Sequence, residues 1–286
     1  MKPAYPTIKQ SFGIVGILFG CMILGAPVLF AEGLIGKEAS FFLYYVVTMG
    51  VSLAAVLRLR QNITTTPPFH FEIEDRSIIL FIVVATIALA FGVTMPLVSL
   101  IPIPDFFKKV FVEISSQTGF FSFLSIVIAA PIFEELIFRG LMLDGLLKRH
   151  APVKAILLSS FLFGFIHLNP WQFVGAGIAG IFMGWVYYRT RSVSLTIIIH
   201  LTNNLAAFAT SQMSEITMEN IDETMVDYYG GVMPFVLVTS GALVVLFSSL
   251  HYLNRKMDPR PEDLHAEAIE STPSEILTET PDRAQV

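Results

Sequence analysis

Apolar residues run in long blocks along this chain, separated by short stretches where charge and proline concentrate. Eight blocks are long enough to reach across roughly 30 Å of hydrocarbon. They lie near residues 12–34, 41–57, 77–101, 119–147, 152–168, 171–188, 193–210 and 232–253. The pattern predicts an all-α protein, a polytopic transmembrane helix bundle of about eight spans. The first block follows Lys2 and Lys9 and exceeds the roughly 7–15 apolar residues of a signal peptide, so it reads as a retained anchor helix. Segment 254–286 is polar and proline-bearing, and reads as a disordered tail. The chain divides into spans one to three (1–118), a core of spans four to seven (119–210), a loop with span eight (211–253) and the tail. No internal repeat and no second folded domain is visible.

Basic residues give a direction to this arrangement. With the amino terminus in the cytosol, fourteen fall inside: Lys2, Lys9, Arg58, Arg60, Arg76, Lys148, Arg149, Lys154, Arg189, Arg191, Arg255, Lys256, Arg260 and Arg283. Three, Lys37, Lys108 and Lys109, fall outside. Loop 211–231 is acidic, with Glu215, Glu219, Asp222, Glu223 and Asp227 and no basic residue. The bias predicts both termini in the cytosol of a cell-membrane protein. Asn62-Ile63-Thr64 matches a glycosylation acceptor but falls on the cytosolic side of this scheme.

The composition agrees with a membrane location: 54% hydrophobic and 14% charged, against roughly 25% charge in soluble domains. A net charge of −5 gives no basis for nucleic-acid binding. The single cysteine, Cys21, excludes an internal disulfide. Span six carries Ala176, Gly180 and Gly184 at spacing four, a small-residue stripe suited to close helix packing.

The chemistry concentrates in span four. Glu134, Glu135 and Arg139 sit inside an apolar stretch long enough to cross a bilayer. A charge at the centre of such a helix costs roughly 2.5–3.5 kcal/mol on insertion scales, so ionisable groups there mark functional sites facing the protein interior. A structural ion pair is the plainer alternative. Glu135 and Arg139 are four apart and share a face, whereas Glu134 has no polar residue at i+3 or i+4 and needs a partner on another helix. Pro131 predicts a kink beside the pair.

Counting helical rise from the cytosolic end puts Glu134 roughly 20 Å up, Arg139 roughly 12 Å, His167 of span five roughly 22 Å, and His200 and Asn204 of span seven roughly 10–17 Å. Three spans thus bring polar groups to overlapping depths. On this count Arg139, His200 and Asn204 lie on the cytosolic side of Glu134. Substrate and water are then expected to enter from the cytosol or through the inner leaflet.

In order along the chain come Glu134-Glu135-Leu-Ile-Phe-Arg139, then Phe163-Gly-Phe-Ile-His167, then His200-Leu-Thr-Asn-Asn204. Together they resemble the EExxxR, FxxxH and HxxxN motifs of the CPBP intramembrane protease family, the CAAX-protease and bacteriocin-processing (Abi-type) proteins. The resemblance covers about residues 125–210. It implies an endopeptidase acting within or beside the membrane, with the bilayer and a membrane-anchored protein or peptide as partners. Nothing in the sequence points to a prenyl pocket or to an oligomeric state.

Two mechanisms fit these residues. In the first, Glu134 is the general base, His167 orients water, His200 and Asn204 stabilise the oxyanion, and Glu135 with Arg139 holds the helix. In the second, His167, His200 and Glu134 are ligands of a zinc ion. There is no HExxH, and Glu135 is the residue placed to pair with Arg139, so the spacing favours a glutamate base without an obligatory metal. A proton-coupled carrier and a non-catalytic scaffold or immunity protein are the competing classes; neither inverted repeats nor paired broken helices support the carrier.

Overall fold

A computed structural model of the protein describes residues 4–64, 69–116, 118–213 and 217–257. Among the described residues the regular structure is entirely helical. The elements are α1 (Ile8–Ile35), α2 (Lys37–Gln61), α3 (Ile78–Val98), α4 (Asp105–Ser115), α5 (Phe120–Leu147), α6 (Pro152–Phe165), α7 (Pro170–Thr190), α8 (Val193–Met213), α9 (Met225–Tyr228) and α10 (Val232–Lys256). Each of the eight apolar blocks is helical. Six of the helices, α1, α2, α3, α5, α8 and α10, are long and apolar enough to cross a membrane.

The other two blocks depart from the expectation. The α6 helix has 14 residues, about 21 Å at 1.5 Å per residue, short of the hydrocarbon thickness. It stops at Phe165 because the chain turns at once: Leu168 adopts a left-handed conformation (φ 57°) and Asn169 caps α7, its Oδ1 accepting from Gln172 N at 2.8 Å. His167 therefore lies in a turn rather than on a helix. The α7 helix spans 21 residues but includes Gln172 and Arg189, and falls outside the six. At the far end, α10 continues to Lys256, and Met257 is buried, so residues 254–257 belong to the folded part and not to a tail. Residues 258–286 lie outside the described residues.

Local sequence explains the starts and bends. Thr7 and Gln10 form a capping box at α1, with Gln10 Oε1 accepting from Thr7 N at 2.8 Å. The α3 and α5 helices each contain a π-helical turn that ends two residues before a proline, Ala90–Thr94 ahead of Pro96 and Leu124–Ala129 ahead of Pro131. A proline ring collides with the carbonyl four residues earlier, and widening the turn before it removes that conflict. A third such stretch, Leu136–Leu143, contains no proline and carries Arg139.

The α5 helix is the axis of the bundle. From Ile137 to Leu147 its residues are buried, against Phe163 of α6, Val186 and Tyr187 of α7, and Ile199 of α8. By contrast α1 exposes Leu24, Phe30 and Leu34, and α10 exposes Leu237, Val244 and Phe247. An apolar surface of this extent belongs against lipid. The small-residue stripe packs as its spacing predicts. A Cβ on Gly180 would lie 3.1 Å from Ser160 Cβ, and one on Gly184 would lie 2.9 Å from Ile156 Cγ2, so α6 and α7 touch nearly backbone to backbone. Gly184→Leu is expected to destabilise the protein by about 1–3 kcal/mol through overpacking, read as a lower thermal midpoint in detergent.

Ala4 and Met257, the first and last described residues, both lie near one end of α5. Arg149 donates to Ala4 O, and Arg189 donates to Asn254 O at 2.8 Å and to Met257 O. Just inside lies a polar cluster that the sequence reading did not single out. Asp144 accepts from Lys148 Nζ at 2.6 Å and from Arg191 Nη1 at 3.2 Å, with Tyr187 Oη at 3.5 Å. Arg191 is buried in a left-handed C-cap (φ 54°), not in a solvated loop. The opposite end of the bundle carries α4, α9 and the exposed ion pairs Lys37–Glu113 and Lys108–Asp222. Hydrogen bonds to Asp222 and Asp105 push the Lys108 ammonium pKa up.

Candidate active site

The site forms where α2, α5, α6 and α8 meet. Glu135 and Arg139 are both fully buried (0% exposed) and joined, Arg139 Nη1 donating to Glu135 Oε1 at 2.8 Å. Arg139 Nη2 donates to Gly180 O at 3.2 Å, and the guanidinium lies 4.4 Å over the Phe163 ring. Gly180 leaves the space for this contact, since a Cβ there would stand 3.2 Å from Arg139 Nη2. Glu135 Oε1 also meets His200 Nδ1 at 2.9 Å. Among the described residues, Glu135 Oε2 and Arg139 Nε are buried without a hydrogen-bond partner.

Glu134 finds its partners across helices. Tyr45 Oη of α2 donates to Glu134 Oε1 at 2.7 Å. Glu134 Oε2 faces His200 Nε2 at 3.9 Å, too far for a direct hydrogen bond. His200 thus stands between the two glutamates. With Nδ1 as the donor to Glu135 Oε1, Nε2 is left as an acceptor turned toward Glu134. Phe163 packs edge-on against both histidines, 5.5 Å from the His167 ring and 5.5 Å from the His200 ring. His167 Nδ1–H donates to Phe163 O at 3.0 Å. Asn204 Nδ2 donates to Ile126 O at 2.9 Å and Asn204 Oδ1 accepts from Asn203 Nδ2 at 3.3 Å, so among the described residues one amide N–H of Asn204 is left for another acceptor.

These contacts correct the depth count. The α8 helix runs antiparallel to α5 with Gln212 at Thr118, Asn204 at Ile126, His200 at the glutamates, and Val193 3.5 Å from a Cβ placed on Gly140. Asn204 therefore lies on the opposite side of Glu134 from Arg139, not on the same side as the depth count placed it. The count failed because α8 starts inside the protein. Arg191 and Ser192 are buried, and the segment 69–71 crosses beneath them, with Val193 N donating to His70 O at 2.8 Å and Ser194 Oγ to Phe71 O at 2.7 Å.

Access follows from the same geometry. On the Arg139 side, α5 is buried to Leu147, and Phe69 covers Gly140. On the other side, His167 and Asn204 are only half-buried. At that end a cleft of about 280 Å³ is lined by Glu32, Lys37, Ser40, Glu113, Ser122, Ser125 and Ile126, whose carbonyl accepts from Asn204, while Glu134 and His200 do not line it. The described residues contain no group of three His, Cys, Asp or Glu side chains placed to hold a metal ion. His167, His200 and Glu134 do not make up such a group, and no step is routed through zinc.

Taken together, the fold and the site define a polytopic membrane helix bundle with a buried glutamate–histidine centre. Residues 116–206 match a family model described as Rce1-like, type II CAAX prenyl endopeptidase Rce1-like. All three motifs lie inside that match, which is to the CAAX-protease family that they resemble. No curated protein and no solved structure matches the chain.

Proposed function

We propose that the protein is an intramembrane endopeptidase in which Glu134 activates the attacking water. The observation that carries this reading is the gap of 3.9 Å between Glu134 Oε2 and His200 Nε2. A water between two acceptors at that separation can donate one hydrogen to each. In the reaction, the water O–H breaks and its proton passes to Glu134 Oε2. The oxygen bonds to the peptide carbonyl carbon, and the remaining amide N–H of Asn204 is available to the oxyanion. Glu134 then returns the proton to the departing amine nitrogen as the C–N bond breaks. Arg139 and Glu135 hold His200 through the bond to its Nδ1.

The test works without an identified substrate. Membranes of cells carrying the wild type or Glu134→Gln are labelled at free protein amino termini and compared by mass spectrometry. New termini that depend on Glu134 are expected, and their absence would overturn the activity. Because the reading uses no metal, cleavage of a substrate found in this way should survive chelators unchanged. Loss on chelation with recovery on adding zinc would replace the glutamate-base scheme.

The half-buried His167 and Asn204 lie toward the end opposite Ala4 and Met257, and Lys148, Arg149, Arg189, Arg191, Arg255 and Lys256 cluster at the Ala4 end. With basic residues inside, the centre opens toward the outer face. The substrate is then a membrane-anchored protein cut from that side, in place of the cytosolic entry read from depth alone. Single cysteines at Asn204 and Glu113, in a Cys21→Ser background, should both react with a membrane-impermeant thiol reagent from the same side. A cysteine at Lys148 should react only from the other. Labelling of position 204 from the side of position 148 would reverse the assignment.

A further inference from the structure

We infer that Tyr45 is a positioning residue for the reacting carboxylate, fixing Glu134 Oε1 so that Oε2 is the oxygen that takes the proton. The inference rests on the proposed role of Glu134 and goes beyond it, because Tyr45 lies outside the matched segment 116–206 and outside all three motifs. The Oε1 of Glu134 receives the phenol O–H of Tyr45 at 2.7 Å, from a helix 89 residues earlier in the chain. Its Oε2 faces His200 Nε2 at 3.9 Å, untied by any direct hydrogen bond. A carboxylate rotating freely about its last torsion would present either oxygen. A short hydrogen bond from an immobilised donor removes that freedom and commits one oxygen to the tie. The α2 helix is held in turn by packing across the same region, where Phe133 of α5 lies 3.9 Å from a Cβ placed on Gly50.

The experiment uses the full-length protein in proteoliposomes. The infrared carboxylate band of Glu134 is identified by its loss in Glu134→Gln. In Tyr45→Phe, which removes only the hydroxyl, that band should change frequency. On the membrane protein whose new terminus depends on Glu134, Tyr45→Phe should lower kcat about tenfold or more while KM stays within about a factor of two, since a hydrogen bond to a charged group is lost from the reacting centre. Installing 3-fluorotyrosine at position 45 keeps the O–H and should restore the rate. An unmoved band, an effect on KM alone, or a fall in kcat that 3-fluorotyrosine does not restore would overturn the assignment. The two readings separate cleanly. Wild-type cleavage by Glu134→Gln would sink the proposed activity, whereas a dead Glu134→Gln beside an unaltered Tyr45→Phe would sink only the role of Tyr45.

Discussion

Glu134→Ala is expected to remove nearly all cleavage, by a factor of at least about a hundred, while the protein remains folded in the membrane. The side chain is buried, yet its partners are a phenol and a histidine 3.9 Å away, not an ion-paired cation. Its removal leaves no opposite charge stranded, so stability should change little. His200→Ala should lose activity comparably but fold less well, because it also strips Glu135 of a hydrogen bond at 2.9 Å. Rates on a Glu134-dependent substrate, read beside thermal unfolding in detergent, separate the two. Residual activity of Glu134→Ala above a few tenths of wild type would remove it from the chemistry.

Arg139→Ala is expected to have the largest effect on stability. It leaves Glu135, fully buried, without the guanidinium 2.8 Å away, and it strips Gly180 O of a donor and Phe163 of its stacked cation. Stranding a buried charge costs about 3–5 kcal/mol. Glu135→Gln combined with Arg139→Leu removes both charges and should recover part of that loss while staying inactive, since His200 is no longer held by a carboxylate. A double variant that melts no higher than Arg139→Ala would show that the pair does not stabilise the fold.

Much of this was legible in the sequence because the signals are local. Apolar blocks long enough to span, acid and base four residues apart, and histidines in fixed patterns are each written within a short stretch of chain. What the sequence concealed was non-local. Tyr45 is one of two adjacent tyrosines in α2, and nothing near it announces a glutamate partner far along the chain. The depth of α8 was misjudged for a physical reason: Arg191 looks like a loop residue marking the membrane surface, yet it is buried against Asp144. A signal for that cluster did exist, since Asp144 sits in an apolar block four residues before Lys148. The short α6 helix escaped notice because hydropathy does not register a left-handed Leu168.

The tie between Tyr45 and Glu134 also bears on how such proteins can be recombined. Segment 116–206 is the part that matches the family model, and it is the segment one would exchange to move the proposed activity. Here that segment borrows a hydroxyl from a helix encoded well before it. A transplant into a host whose second helix offers phenylalanine at that height should fold and insert but work slowly, and supplying the tyrosine in the host should bring the graft to full rate.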